Sequence, residues 1–190
     1  MNARPQPDVG GEPPLRFLTV CTHNRARSVA MTELLRVELR QQGVPADVAS
    51  AGFMPPGERA THQMVTSLAE RGIDASPHRS TVIDATAVAE ADLILTAERA
   101  HVIRISEDDS SVFARTFTLP EFVQMAEAFG PRRNWPIDRW VGALSVARTH
   151  GTFLHGGAAQ IADPTGLSHA AHLATVQEIA DLCHRLVALL

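Results

Sequence analysis

Eight residues, Cys21-Thr22-His23-Asn24-Arg25-Ala26-Arg27-Ser28, limit what this chain can become more than any other stretch. They lie between an apolar run, Phe17-Leu18-Thr19-Val20, and a helical pattern that begins near Val29. A strand that enters a helix through so short a loop aims the loop's backbone N–H groups at one point, and the helix adds its positive N-terminal end. The product is an anion cradle whose candidate phosphate-binding residues are Thr22, His23, Asn24, Arg25, Ala26, Arg27 and Ser28. Arg27 can set two parallel donors on two oxygens of a phosphate, which a lysine cannot do. Cys21, in that positive field, is expected to be a thiolate near neutral pH and therefore a nucleophile. Ser28 can donate a hydrogen bond to the sulfur. These residue types in this spacing point to phosphate transfer.

The rest of the chain repeats the strand-then-helix order. Arg16 to Val20 is nearly continuous in apolar character, as a strand covered on both faces requires. The first helix carries Val29, Ala30, Leu34, Leu35 and Val37 on one side and ends at Gly43 and Pro45. Asp47 to Gly52 predicts a second strand, and a proline-rich loop, Phe53 to Gly57, follows it. A helix is expected from about Ala60 to Arg71, capped by Gly72, then a loop over Ile73 to Val82. Ala91 to Leu95 predicts the third strand, with a short helix near Glu98 to Ile105. Val112 to Thr118 predicts the fourth, and Pro120 starts another helix. Trp135, Trp140, Val141, Leu144 and Val146 imply a packed helix inside 131–161, and a last helix runs from about Ser168 to Leu190. Strands separated by helices throughout imply a doubly wound, three-layer α/β/α fold.

Bulk properties narrow the class. With 190 residues, 45% of them hydrophobic, the chain suits one domain from about residue 15 onward. Residues 1–14 are Pro- and Gly-rich without an apolar segment, so a disordered tail is expected there rather than a signal peptide. The net charge of −4 and the lack of a basic run argue against nucleic acid as the main partner. No stretch approaches the ~18 apolar residues that span a bilayer. Two cysteines far apart in the chain make no disulfide framework, and a reactive thiol suits the reducing cytoplasm. Cys183 falls on the apolar stripe of the last helix and is expected to be a core thiol. His169 and His172 share a helical spacing but lack a third ligand, so they are expected to face solvent, and no metal is expected.

A thiolate that displaces an ester oxygen from phosphorus needs a proton donor opposite it. In an open α/β sheet that donor comes from a loop at the carboxyl ends of the strands. Asp163-Pro164, in the loop before the last helix, is the candidate; the proline biases Asp163 toward extended backbone.

With these residues in place, the chain resembles the low-molecular-weight protein tyrosine phosphatases. The resemblance is carried by the Cys21–Ser28 loop, Ser50-Ala51-Gly52, Gly72-Ile73-Asp74 with His78-Arg79-Ser80, Ala91 to Leu95, Leu119-Pro120-Glu121-Phe122, and Asp163-Pro164. It covers Phe17 to Leu190, with 131–161 as extra length. It implies a four-stranded parallel sheet in the order 2-1-3-4 and no cofactor. It also implies catalysis through a cysteinyl-phosphate, with Cys21 as nucleophile, Arg27 as phosphate clamp and Asp163 as acid and then base. Asn24 matches the family's loop asparagine, which tolerates left-handed backbone. The implied substrates are a phosphorylated protein, phosphotyrosine above all, or a small phosphomonoester, with phosphate, sulfate or arsenate able to occupy the loop. A monomer or weak dimer is expected.

The chain departs from the family at three places. Ala26 stands where many relatives have a second cysteine. His23 is similar to the loop histidine of arsenate reductases of the same fold. Thr165-Gly166 replaces the aromatic residue that usually follows Asp-Pro, so a ring wall is expected from Phe53 and Met54, or from Trp135 or Trp140, with Thr165 beside it. Two alternatives to phosphotyrosine hydrolysis follow: arsenate reduction with an external low-molecular-weight thiol, and non-catalytic oxyanion binding.

Overall fold

The structure, a computed structural model, describes residues 13–146, 148–149, 151, 153 and 156–190. The expected tail therefore lies almost wholly outside the described residues. Four strands, β1 (Leu15–Val20), β2 (Ala46–Ala51), β3 (Leu93–Thr96) and β4 (Thr116–Thr118), form one parallel sheet in the order β2-β1-β3-β4. The helices whose bounds lie wholly among the described residues are α1 (Arg27–Gln41), α2 (His62–Ala69), α3 (Ala85–Glu90), α4 (Arg99–Asp108), α5 (Leu119–Phe129), α6 (Ile137–Ser145) and α7 (His169–Val187).

The unbroken apolar strands are explained by cover on both faces. Phe17, Leu93, Leu95 and Phe117 point into one core with Val29, Leu35, Met64, Phe122, Trp140, Ile179 and Leu186. Leu18, Val20 and Ile94 point the other way, onto Ile105 and Val112. Successive residues of a strand alternate faces, so with helices on both sides each must be apolar or hydrogen-bonded. Thr19 is the hydrogen-bonded case. Its buried hydroxyl donates to Ser28 O at 3.0 Å and lies 2.6 Å from the Thr32 hydroxyl, tying β1 to α1.

Two sequence expectations shift. The fourth strand is only three residues long, because Ser110–Arg115 forms a 3-10 turn. There Val112 and Phe113 are buried, so their apolar spacing, which resembles a strand's, serves the turn. A short helix, α3, also stands before β3, capped by Asp84 through its bond from Ala87 N. None of its residues is buried, which is why no periodicity announced it. Elsewhere the chemistry matches. Thr118 and Glu121 form a reciprocal cap around Pro120 at the start of α5. Gly43 and Gly72 take positive φ after α1 and α2.

Candidate active site

The loop between β1 and α1 is held from three sides. From within, Cys21 Sγ lies 3.1 Å from Ser28 Oγ, and Asn24 Nδ2 donates to the same Ser28 oxygen at 2.9 Å. Asn24 is left-handed, with φ of 52°, as expected for the loop asparagine. From the β2 side, Thr81 N donates to Asn24 Oδ1 at 2.9 Å, His78 Nε2 donates to Asn24 O at 2.7 Å, and Phe53 N donates to Thr22 O at 2.8 Å. Gly52 allows that approach: a Cβ there would stand 2.8 Å from Asn24 N and 2.9 Å from Thr22 O.

The third side is α4. The backbone N–H of Glu98 donates to His101 Nδ1 at 3.2 Å, so Nε2 carries the ring proton and donates to Thr22 Oγ1 at 3.0 Å. Burial pushes His101 down from 6.5 to about 4; Arg27 and Arg104 add to the fall, while Glu98 and Asp163 oppose it. The Glu98 carboxylate grips Arg27 Nη1. The helix thus braces both the second and the seventh residue of the loop. His101 was not singled out by its place in the sequence, where only its helical position three residues after Glu98 hints at a cap.

Arg27 is almost fully buried and makes three contacts at once. Nη1 bonds Glu98 and also Ile161 O at 3.0 Å, while Nη2 bonds Asp163 Oδ2 at 3.0 Å. Asp163, 136 positions away in the chain, is therefore brought to the cradle. Its segment is pinned over the strand ends, where Ile161 N donates to Ala97 O at 2.9 Å and Thr118 Oγ1 donates to Ala159 O at 2.7 Å. Burial alone would raise the Asp163 carboxyl. Hydrogen bonds from Thr165 and the charges of Arg27 and His23 outweigh it, so the net direction is downward. No side chain caps the N-terminus of α1, where Ala26 is the capping residue, and no acidic residue lies in its first turn. The free amides and the dipole there favour an anion.

Together these residues enclose a cavity of about 290 Å³ lined by Cys21, His23, Arg25, Ala26, Arg27, Thr61, Asp163 and Thr165. Asn24, Ser28 and Thr22 do not line it but fix the loop through the hydrogen bonds described above. An oxyanion seated there would meet a thiol, a guanidinium and the carboxyl bonded to it. That arrangement can carry a phosphoryl group from an ester to sulfur and on to water.

The expected ring wall is not where it was sought. Phe53 does not line this cavity; it packs 5.6 Å from His101, lies under Arg104 and borders a neighbouring apolar groove. Met54 is exposed and absent from the lining. Trp140 is fully buried against Phe122, its Nε1 donating to Gly130 O at 3.1 Å. Trp135 packs on Phe129, and its neighbour Arg132 bonds Leu189 O beyond the far end of α7. Of the four candidates named with it, none joins Thr165. Val146, expected to pack, is exposed.

The histidine pair divides. His169 is exposed and bonds Glu70 at 2.7 Å, whereas His172, expected in solvent, is buried and donates to Ser168 O at 3.0 Å. No cluster of metal-ligating side chains occurs among the described residues. Cys183 is buried in the core, its thiol pushed upward chiefly by burial and 3.9 Å from Met31 O of α1.

Residues 16–130 match the family model described as low molecular weight phosphotyrosine protein phosphatase. Among solved structures, the YwlE arginine phosphatase of Geobacillus stearothermophilus is similar at 28% identity and a TM-score of 0.70, with 92% of each chain covered. The low molecular weight protein tyrosine phosphatase of T. tengcongensis is similar at 24% identity and 0.72, covering 93% of this chain and 99% of that one. A YwlE arginine phosphatase mutant with a phosphorylated active site serine aligns at 23% and 0.72, over 92% and 94% of the two chains. These last two speak to the fold alone. No curated protein matches the sequence.

Proposed function

This chain belongs to the low molecular weight phosphotyrosine protein phosphatase family, and from that premise we propose that it hydrolyses phosphomonoesters, protein phosphotyrosine foremost, with Cys21, Arg27 and Asp163 as its catalytic residues. The observation that carries the reading is the 3.0 Å contact between Arg27 Nη2 and Asp163 Oδ2 on the wall of the cavity that also holds Cys21. An arriving phosphate competes for Arg27 and frees the carboxyl to face the ester oxygen. Cys21 Sγ then bonds to phosphorus while the P–O bond to the leaving group breaks. Asp163 gives its proton to the departing oxygen, and the approach of the phosphate's negative charge favours the protonated form needed for that step. Arg27 and the loop amides hold the phosphoryl oxygens through the change. Water next attacks phosphorus, its proton passes to Asp163, and the P–S bond breaks to return the thiolate. The residues supply the charge themselves, so the reading needs no metal or cofactor.

A ring leaving group would lie along His23, Thr61 and Thr165. A reactive thiol of this kind suits the cytoplasm, and no described helix is long and apolar enough to cross a membrane. Arsenate reduction would have to use an external thiol, because Cys183 is locked in the core.

The test is an assay of the purified protein and its Cys21→Ser variant with p-nitrophenyl phosphate, then with arsenate plus low-molecular-weight thiols. Hydrolysis that disappears in the variant is the expected result. Thiol-dependent arsenite formation without hydrolysis would replace the reading with reduction, and phosphate binding without turnover of either substrate would replace it with a binding module.

A further inference from the structure

Besides Cys21, Arg27 and Asp163, the cavity is lined by His23, Arg25, Ala26, Thr61 and Thr165, and of these Arg25 bears a permanent charge. Its position is held rather than free. Arg25 Nε donates to Arg59 O at 2.9 Å, and Arg25 O accepts from Thr61 N at 2.8 Å. The charge is barely neutralised. Its nearest carboxylate, Glu58, stands 3.7 Å from Nη1 and is 62% exposed, and pairs that long and wet contribute little. Nη2 makes no hydrogen bond among the described residues. Arg27 is different, since Glu98, Ile161 O and Asp163 already occupy it. The cavity therefore has one cation at the phosphate and a second at the mouth, with a donor to spare.

We propose that Arg25 is a specificity-determining residue that selects phosphomonoesters whose leaving group carries a second negative charge, a carboxylate or another phosphate, at the cavity rim. The proposal rests on the phosphatase reading above and deepens it. A phosphotyrosine or aryl leaving group without charge meets threonines and an imidazole there, and no large apolar ring. A leaving group with its own anion gains a charge-assisted hydrogen bond to Nη2. Two sources offer that anion: an acidic residue beside phosphotyrosine in a peptide, and an acid group on a small aryl ester. A phosphorylated guanidine is disfavoured by the same charge, because its leaving group becomes a cation beside Arg25.

The experiment compares kcat/KM within two matched pairs: carboxyphenyl phosphate against the corresponding carboxamide, and a phosphotyrosine peptide flanked by glutamates against one flanked by glutamines. It is run at low and high salt on the wild type, Arg25→Gln, Arg25→Lys and Cys21→Ser. The acidic member is expected to be preferred roughly three- to ten-fold at low salt, less at high salt, by the wild type and Arg25→Lys. The preference should collapse in Arg25→Gln. Preference confined to the peptide pair or to the aryl pair supports the proposal and identifies the source of the anion. Equal rates within both pairs, or a preference that survives Arg25→Gln or high salt undiminished, overturns it. Absence of wild-type turnover, or turnover retained by Cys21→Ser, overturns the phosphatase reading itself and this proposal with it.

Discussion

In the proposed cycle Asp163 must hold a proton when Cys21 attacks and lack it when water follows. Before substrate arrives its carboxyl lies below the ordinary range. Burial pulls upward, but the bonds from Thr165 and the charges of Arg27 and His23 win. The sign of the pH dependence follows. A group needed in its protonated form loses effect as pH rises past its pKa, so kcat/KM for an aryl phosphate should already decline within the acid range. Asp163→Asn should remove that descending limb and lower kcat for phenyl phosphate by roughly 10²–10⁴-fold. The loss should be smaller for p-nitrophenyl phosphate, whose phenolate leaves with little help. Steady-state profiles of both esters check this, and equal slowing of the two would take proton donation away from Asp163. At this scale the sequence was most legible for the loop itself, where spacing along a few residues dictates proximity. It was least legible for the wall, since which side chains surround a leaving group depends on segments far apart in the chain.

The element that governs the loop from outside is α4. Its capping residue Glu98 holds Arg27, and His101 in its first turn holds Thr22. The neutral imidazole accepts at Nδ1 and donates at Nε2, and a second ring proton would break the bond from Glu98 N. Folded His101 titrates near 4, against 6.5 for the free side chain. Between those values the unfolded chain binds a proton that the folded chain refuses, so stability falls as pH drops from 6.5 toward 4 and is insensitive to this group above that window. The loss is of order 1–3 kcal/mol. Urea unfolding at a series of pH values should show a shallower slope for His101→Gln than for the wild type; identical slopes would mean that the imidazole is not held neutral. Helix α3 and the 3-10 turn before β4 were missed for a related reason: short elements carry too few residues for a period to emerge, and α3 buries none of them.

For the molecule as a whole, the question is how 131–161 delivers Asp163 to the site. Helix α6 docks by Trp140, Val141 and Leu144. Beyond it Arg148 is buried, bonding Glu121 at 2.7 and 3.1 Å and Phe113 O at 2.8 Å. Its guanidinium lies between 4.1 and 4.5 Å from the ring centroids of Phe113, Phe117 and Phe153. Arg99 Nη1 adds a bond to Gly156 O at 2.8 Å. The segment is therefore fastened to β4, α4 and α5 before Asp163 is reached. Arg148→Ala leaves the Glu121 carboxylate buried without its cation, which costs about 3–5 kcal/mol, or roughly 10 °C in Tm for a chain of this length. A thermal melt measures it, and a change within 2 °C would show that Arg148 is not the clamp.

By itself the sequence determined the order of the four strands and of the longer helices, the parallel sheet, and the cradle with Cys21 in it. All of these rest on local patterns: unbroken apolar runs, 3.6-residue periods, and a loop too short to place its residues anywhere else. The sequence also named Asp163 as the carboxyl facing the cradle, but only the tertiary structure decided that it bonds Arg27 directly, that His101 and Glu98 support the loop, that Gly52 lets the second strand's turn approach it, and that Thr61 and Thr165 rather than a ring stand beside Arg25. Each joins residues that are distant in the chain, and their meeting is set by how the layers pack, which no pattern along one segment records.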